Sequence, residues 1–127
     1  MQVDPSSLMQ TILIVDDDPA IVVAWSRILR LKSFGVATAR DAEAGLAAAN
    51  DLHPALIVTD RHMPGMDGIE FCCRLKCNPK LAEIPIIMAS AGEKPTSSEP
   101  LWDALWQKPV PADVMLVTIE RLLARPC

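Results

Sequence analysis

The chain reads as an α/β protein built on a doubly wound parallel sheet. Two observations carry this reading. Short, wholly apolar runs alternate with amphipathic stretches of helical length, and two of the runs, in "TILIVD" and "PALIVTD", end in aspartate. An apolar run without polar alternation suits a strand covered on both faces, and right-handed crossovers place helices over both faces of such a sheet. The 127 residues hold one domain of ordinary size, with a core of its own and no internal repeat.

The elements follow in order. Residues 11–15 form the first strand, and residues 19–32 a helix that starts with Asp18 as N-cap and Pro19 in its first turn. Ile21, Trp25, Ile28 and Leu29 share one face of that helix. Phe34 and Gly35 turn the chain into a second strand, 36–39, and Asp41 caps an alanine-rich helix. The run 54–60 is the third strand. Asp67 and Glu70 have capping-box spacing ahead of a helix that ends near Lys76. "EIPIIMASA" supplies a fourth strand and "DALWQ" a short fifth. Pro111 opens a last helix reaching Ala124, with Val114, Leu116, Val117, Ile119 and Leu123 as burial candidates. Between residues 91 and 103, Pro95 and Pro100 leave a fourth helix room for about one turn. The expected domain covers residues 11–125, with residues 1–10 as an N-terminal extension.

Composition narrows the function classes. A net charge of −4 with no visible basic patch argues against nucleic acid as a direct partner. The apolar runs are too short to span a bilayer, and "MQVDPSSLMQ" lacks the basic start and apolar stretch of a signal peptide. No membrane partner is expected, and the expected setting is cytoplasmic. Cys72, Cys73, Cys77 and Cys127 show no C-x-x-C spacing, so they read as free thiols of a reducing compartment. His53 and His62 stand in proline-bounded loops rather than at zinc-ligand spacing.

Singly, the polar residues at the strand ends have ordinary readings. Asp18–Pro19 starts a helix, Asp60 can cap a loop, Ser90 is a small residue ending a strand, and Lys108 a solvated lysine. Together they converge, because parallel sheets bind ligands at the carboxyl ends of their strands. Asp16 and Asp17 follow the first strand, Asp60 the third, Ser90 the fourth and Lys108 the fifth. Neighbouring carboxylates repel unless a cation compensates. Clustered carboxylates suit a hard divalent ion such as Mg²⁺, and a lysine and hydroxyl opposite complete a cradle for a phosphoryl group. One carboxylate can then act as nucleophile and form an aspartyl phosphate.

In "ILIVDDDP", "LIVTDRHMPGMDGIEF", "IPIIMASA" and "KP" the sequence resembles the receiver domains of bacterial two-component response regulators. The resemblance covers nearly all of the chain after residue 10. It implies a CheY-like, flavodoxin-like (βα)5 fold with strand order 2-1-3-4-5, its fourth helix shortened or irregular. It implies Asp60 as phosphoacceptor, and Mg²⁺ held by Asp17 and Asp60, by Asp16 through water, and by the backbone carbonyl of His62. Ser90 matches the switch hydroxyl, and Lys108, ahead of a cis Lys108–Pro109 bond, pairs with the phosphoryl oxygens. The implied partners are a sensor histidine kinase or phosphotransfer protein and a downstream protein of unknown identity.

Two departures stand out. The family's switch aromatic falls on Leu105, and Trp106, one residue along a strand, points to the other face. The segment between Ser90 and Lys108 is about four residues shorter than the resemblance implies. A receiver fold serving as an interaction module, its switch uncoupled, is therefore a second reading. A third is a Mg²⁺-dependent phosphatase, since "DDDPA" superficially resembles the D-x-D motif of haloacid-dehalogenase-type phosphatases, which would imply Asp16 as nucleophile and Asp18 as acid/base. That motif expects Thr or Val where Ala20 stands.

Overall fold

The structure is a computed structural model and describes residues 10–92 and 100–124. The described residues form five strands: β1 (Thr11–Val15), β2 (Gly35–Ala39), β3 (Leu56–Asp60), β4 (Ile86–Ser90) and β5 (Ala104–Gln107). They alternate with α1 (Pro19–Leu31), α2 (Ala42–Leu52) and α3 (Gly68–Lys76), and α4 (Ala112–Leu123) follows β5. All strands run parallel in the order β2-β1-β3-β4-β5, as expected. The expected short fourth helix, the N-terminal extension and the domain end at 125 fall wholly or largely on residues 1–9, 93–99 and 125–127, outside the described residues.

Strand alternation divides the core into two layers. Leu13, Val15, Ile57, Ile86 and Met88 face α2 and α3, meeting Ala49, Phe71, Cys72 and Leu75. Ile12, Ile14, Leu56, Val58, Ile87 and Trp106 face α1 and α4, meeting Trp25, Leu29, Met115 and Ile119. β3 and β4 are buried along their whole length, which is why their sequences show no polar alternation.

Local chemistry sets the helix starts. The carboxylates of Asp18, Asp41 and Asp67 accept from the backbone N–H of Ala20, Ala44 and Glu70 at 2.9, 2.8 and 2.9 Å. Glu70 itself lies 3.4 Å from Arg74, one turn on, in an exposed ion pair. β3, β4 and β5 are shorter than the expected runs, with Pro54, Glu83 and Asp103 outside them, and β2 starts one residue earlier than expected, at Gly35. Pro111 stands just before α4, in the N-cap position.

α4 departs most from expectation. Ile119 is fully buried and Leu116 and Leu123 partly so, but Val114 is exposed and Val117 is 65% exposed. The face turned to the sheet is Met115, Thr118, Ile119 and Leu122, at helical spacing. Both faces of this helix carry apolar residues, and its placement against the sheet selects one.

Three free thiols lie on or beside α3, with Cys72 buried and Cys73 and Cys77 exposed. Burial, with the neighbouring Cys73, pushes the Cys72 thiol up from 9.0 to about 12. Below pH 9.0 a thiol reagent is expected to label Cys73 and Cys77 and to leave Cys72 unmodified until the chain unfolds. The linkage has a definite sign. The folded value exceeds the unfolded one, so this contribution is complete below 9.0 and is lost as pH rises toward about 12. Urea midpoints across that window should fall with pH and fall less in Cys72→Ala, after allowance for its lower baseline stability.

Candidate functional site

The carboxyl end of the sheet collects the charges. Asp16 leaves β1 and is buried, its backbone N–H held by the Ala39 carbonyl at 3.1 Å. One of its carboxylate oxygens accepts from the Asp18 N–H at 2.9 Å, so the turn into α1 aims the side chain inward. Asp17, between them, is exposed. Asp60 ends β3 and is buried, and its register partner Ala89 receives the Arg61 N–H at 2.9 Å. Carboxylate oxygens of Asp16, Asp17 and Asp60 all lie within 4.8 Å of one another.

Lys108 closes the cluster from β5. Its ammonium donates to Asp16 at 2.9 Å and to Asp60 at 3.0 Å, and its backbone N–H donates to the Ser90 carbonyl at 2.8 Å. The Lys108–Pro109 bond is cis, as the resemblance implied. Burial opposes the charge on this ammonium, but Asp16 and Asp60 together outweigh burial and hold its pKa above the ordinary value. Asp16 behaves differently. Burial raises its pKa, and the Asp18 N–H and Lys108 offset that only in part. One lysine shared between two carboxylates, with a third at hand, leaves negative charge in excess at this rim.

Ser90 is fully buried at the end of β4, and its hydroxyl accepts from the Gly92 N–H at 3.3 Å. His62 is exposed in the loop two residues beyond Asp60. That loop is tied back where the Gly68 N–H donates to the Arg61 carbonyl at 2.8 Å, and a Cβ at Gly68 would collide with the Asp60 carbonyl oxygen. A cleft of about 220 Å³ opens beside Asp16 and Asp17, walled by Pro19, Val22 and Arg40. The rim thus offers an oxygen-only donor set, which fits a hard divalent cation, next to a lysine and an approach from solvent.

The structure brings Asp16, Asp17, Asp60 and Lys108 together and sets Ser90 beside Lys108 through its carbonyl, and His62 lies in the loop beyond Asp60. Leu105 and Trp106 face opposite layers, Leu105 toward α2 and α3 and Trp106 toward α1 and α4. One contact is absent from the sequence reading. Trp25, assigned there only to a helical face, has its ring 5.8 Å from the Lys108 ammonium.

The model of the response regulator receiver domain matches residues 12–116. The chain is 36% identical over 121 residues to the DNA-binding dual master transcriptional regulator RpaA of Synechocystis, covering 92% of this chain and 50% of RpaA. It is 38% identical over 119 residues to the response regulator PleD of Caulobacter vibrioides, covering 90% of this chain and 26% of PleD. The chain therefore spans half or less of these relatives' lengths. Among solved structures it resembles the response regulator TrrA of Thermotoga maritima in complex with Mg²⁺-BeF, at a TM-score of 0.82 and 25% identity, covering 90% of this chain and 99% of that one. The family match runs from the first strand into the last helix and takes in every residue of the rim: the chain belongs to the response regulator receiver domains of two-component signalling.

Proposed function

We propose that Asp60 is the phosphoacceptor of this receiver, with Asp16, Asp17, Asp60 and the His62 carbonyl holding Mg²⁺. The carrying observation is the Lys108 ammonium, which already bridges Asp16 and Asp60 at 2.9 and 3.0 Å. A carboxylate oxygen of Asp60 attacks the donor phosphorus. The bond from phosphorus to the donor's leaving atom breaks, that atom keeps the electron pair, and an acyl phosphate forms on Asp60. Lys108 turns from the carboxylates to the incoming phosphoryl oxygens, and Ser90 offers its hydroxyl from β4. Mg²⁺, when bound, cancels carboxylate charge and polarises the phosphoryl group. Receiver domains bind Mg²⁺ at such acidic pockets and are signalling modules rather than turnover enzymes, which sets the phosphatase reading aside.

The donor class is a histidine kinase or phosphotransfer protein, the partners of receivers in two-component systems. We place the receiver unit at residues 11–125, with residues 1–10 ahead of it. Free thiols on α3 accord with a cytoplasmic setting, and among the described residues no helix is long and apolar enough to cross a membrane. The DNA-binding description belongs to RpaA, and the acidic balance of this chain supports a protein partner.

Incubation with Mg²⁺ and a small phosphodonor, followed by mass mapping, tests the proposal. A phosphoryl adduct on Asp60 is expected, and an adduct elsewhere, or none, would refute it. Metal alone should also stabilise the fold, because it relieves repulsion among the three carboxylates. Linkage gives about 2.7 kcal/mol at a hundredfold excess over the dissociation constant. The check is a melting curve in millimolar Mg²⁺ at low salt, where the midpoint should rise.

Leu105 supports the second reading, an interaction module, since it has neither ring nor polar tip to follow a shift of Ser90. Hydrogen exchange with and without beryllofluoride separates the two. Protection rising at residues 90–92 and 100–104 marks a coupled switch, and unchanged exchange with Asp60 occupied marks an uncoupled one.

A further inference from the structure

We infer that Trp25 is a positioning residue for Lys108: its indole forms the floor on which the lysine is held over the acidic rim. The inference rests on the phosphoacceptor reading above and adds a residue from a helix not otherwise assigned to the reaction.

The geometry is specific. Lys108 has a side chain only 13% exposed, and its ammonium lies 5.8 Å from the centroid of the Trp25 ring while donating to Asp16 and Asp60. A ring at that distance attracts the ammonium, and more strongly where water is excluded. Trp25 is itself immobilised. It is buried, and meets the Trp106 ring edge to face, with centroids 5.7 Å apart at 88°. Trp106 is held in turn, its indole N–H donating to the Thr118 hydroxyl at 3.2 Å, and that hydroxyl donating to the Val114 carbonyl at 2.8 Å. The floor beneath Lys108 is therefore clamped to α4 through β5.

This arrangement matters because the two carboxylates alone do not fix the lysine for the reaction. The ammonium must leave them, at least in part, to meet a phosphoryl group on Asp60. A flexible four-carbon stem can then swing toward solvent, and a ring beneath it confines the swing to the rim. Trp106 and Leu105 sit on opposite faces, so this support lies in the layer opposite the one reached from Leu105.

The test compares Trp25→Phe, which keeps a ring, with Trp25→Leu, which keeps bulk without one. The readout is the rate of Asp60 labelling by Mg²⁺ and a small phosphodonor, on variants shown to be folded by circular dichroism. Trp25→Leu should label roughly five- to twentyfold more slowly, the size expected for losing a partly desolvated cation–ring contact, and Trp25→Phe should recover most of the rate. The loss should fall on the labelling rate at saturating phosphodonor, with the half-saturating donor concentration little changed, a split that a merely structural role would not produce. Equal labelling by all three proteins overturns the inference, as does Trp25→Phe labelling as slowly as Trp25→Leu. Should Trp25→Leu not fold, Trp25→Met takes its place, and labelling by Trp25→Met at the parent rate overturns the inference. A parent that is not labelled at Asp60 refutes the phosphoacceptor reading instead, so the two failures are distinguishable.

Discussion

Asp60→Asn is expected to abolish phosphoryl labelling while leaving the protein folded. The amide keeps the shape of the side chain, and its oxygen can still accept from Lys108, but it is no nucleophile. Labelling should fall to background, a loss of at least roughly a hundredfold. Stability should move the other way. Asp16, Asp17 and Asp60 lie within 4.8 Å of one another with one lysine shared between two of them, so removing one charge relieves repulsion. The metal-free melting temperature should therefore hold or rise, and the Mg²⁺-dependent increment should shrink because the cation loses a carboxylate. Asp17→Asn provides the contrast, keeping the acceptor but losing the exposed ligand, so it should label slowly rather than not at all. Undiminished labelling of Asp60→Asn at another carboxylate would overturn the assignment.

Gly68→Ala should cost the fold about 3 kcal/mol, in the range of core overpacking. A Cβ at this position would run into the Asp60 carbonyl oxygen and stand 2.9 Å from the Arg61 Cα. Both obstacles are backbone, so no side chain can swing aside. Relief requires the loop from Arg61 to Asp67 to move, which weakens the Gly68–Arg61 hydrogen bond of 2.8 Å and shifts the peptide that carries Asp60. Labelling of Asp60 should fall together with stability. Gly65→Ala is the informative comparison. Its Cβ would meet nothing within 4 Å, and the penalty comes only from a φ of +78°, worth about 1–2 kcal/mol. Urea denaturation of the two variants measures the difference, and equal midpoints would show that the contact between Gly68 and Asp60 costs no more than the backbone strain at position 65.

Much of the fold was legible because its signals are local. "TILIV" and "LIVT" lack polar alternation since β1 and β3 are buried on both faces, and the aspartates at their ends mark where the sheet meets water. Asp18, Asp41 and Asp67 cap their own helices through side chains that reach two or three residues along the chain. The misjudged positions have a different origin. Val114 and Val117 are as apolar as Met115 and Ile119, and periodicity alone offers two stripes on α4. Docking of the helix on β5, not its composition, buries one stripe and exposes the other.

The site divides in the same way. Residue types at strand ends were enough to name Asp16, Asp17, Asp60, Ser90 and Lys108, because a parallel sheet delivers all its carboxyl ends to one rim. That is what the sequence by itself determined: the topology, the rim, and the donors standing on it. Only the tertiary structure decided which of them touch. Lys108 reaches Asp16 across 92 positions and Asp60 across 48, and the distances follow from the order of β1, β3, β4 and β5 rather than from spacing in the chain. The Trp25 ring beneath Lys108, the Trp106 ring set crosswise to it and the Gly68 contact with Asp60 belong to the same class. Each joins segments that share no periodicity, so no local pattern encodes it, and close packing of α1, α3 and α4 against the sheet brings it about.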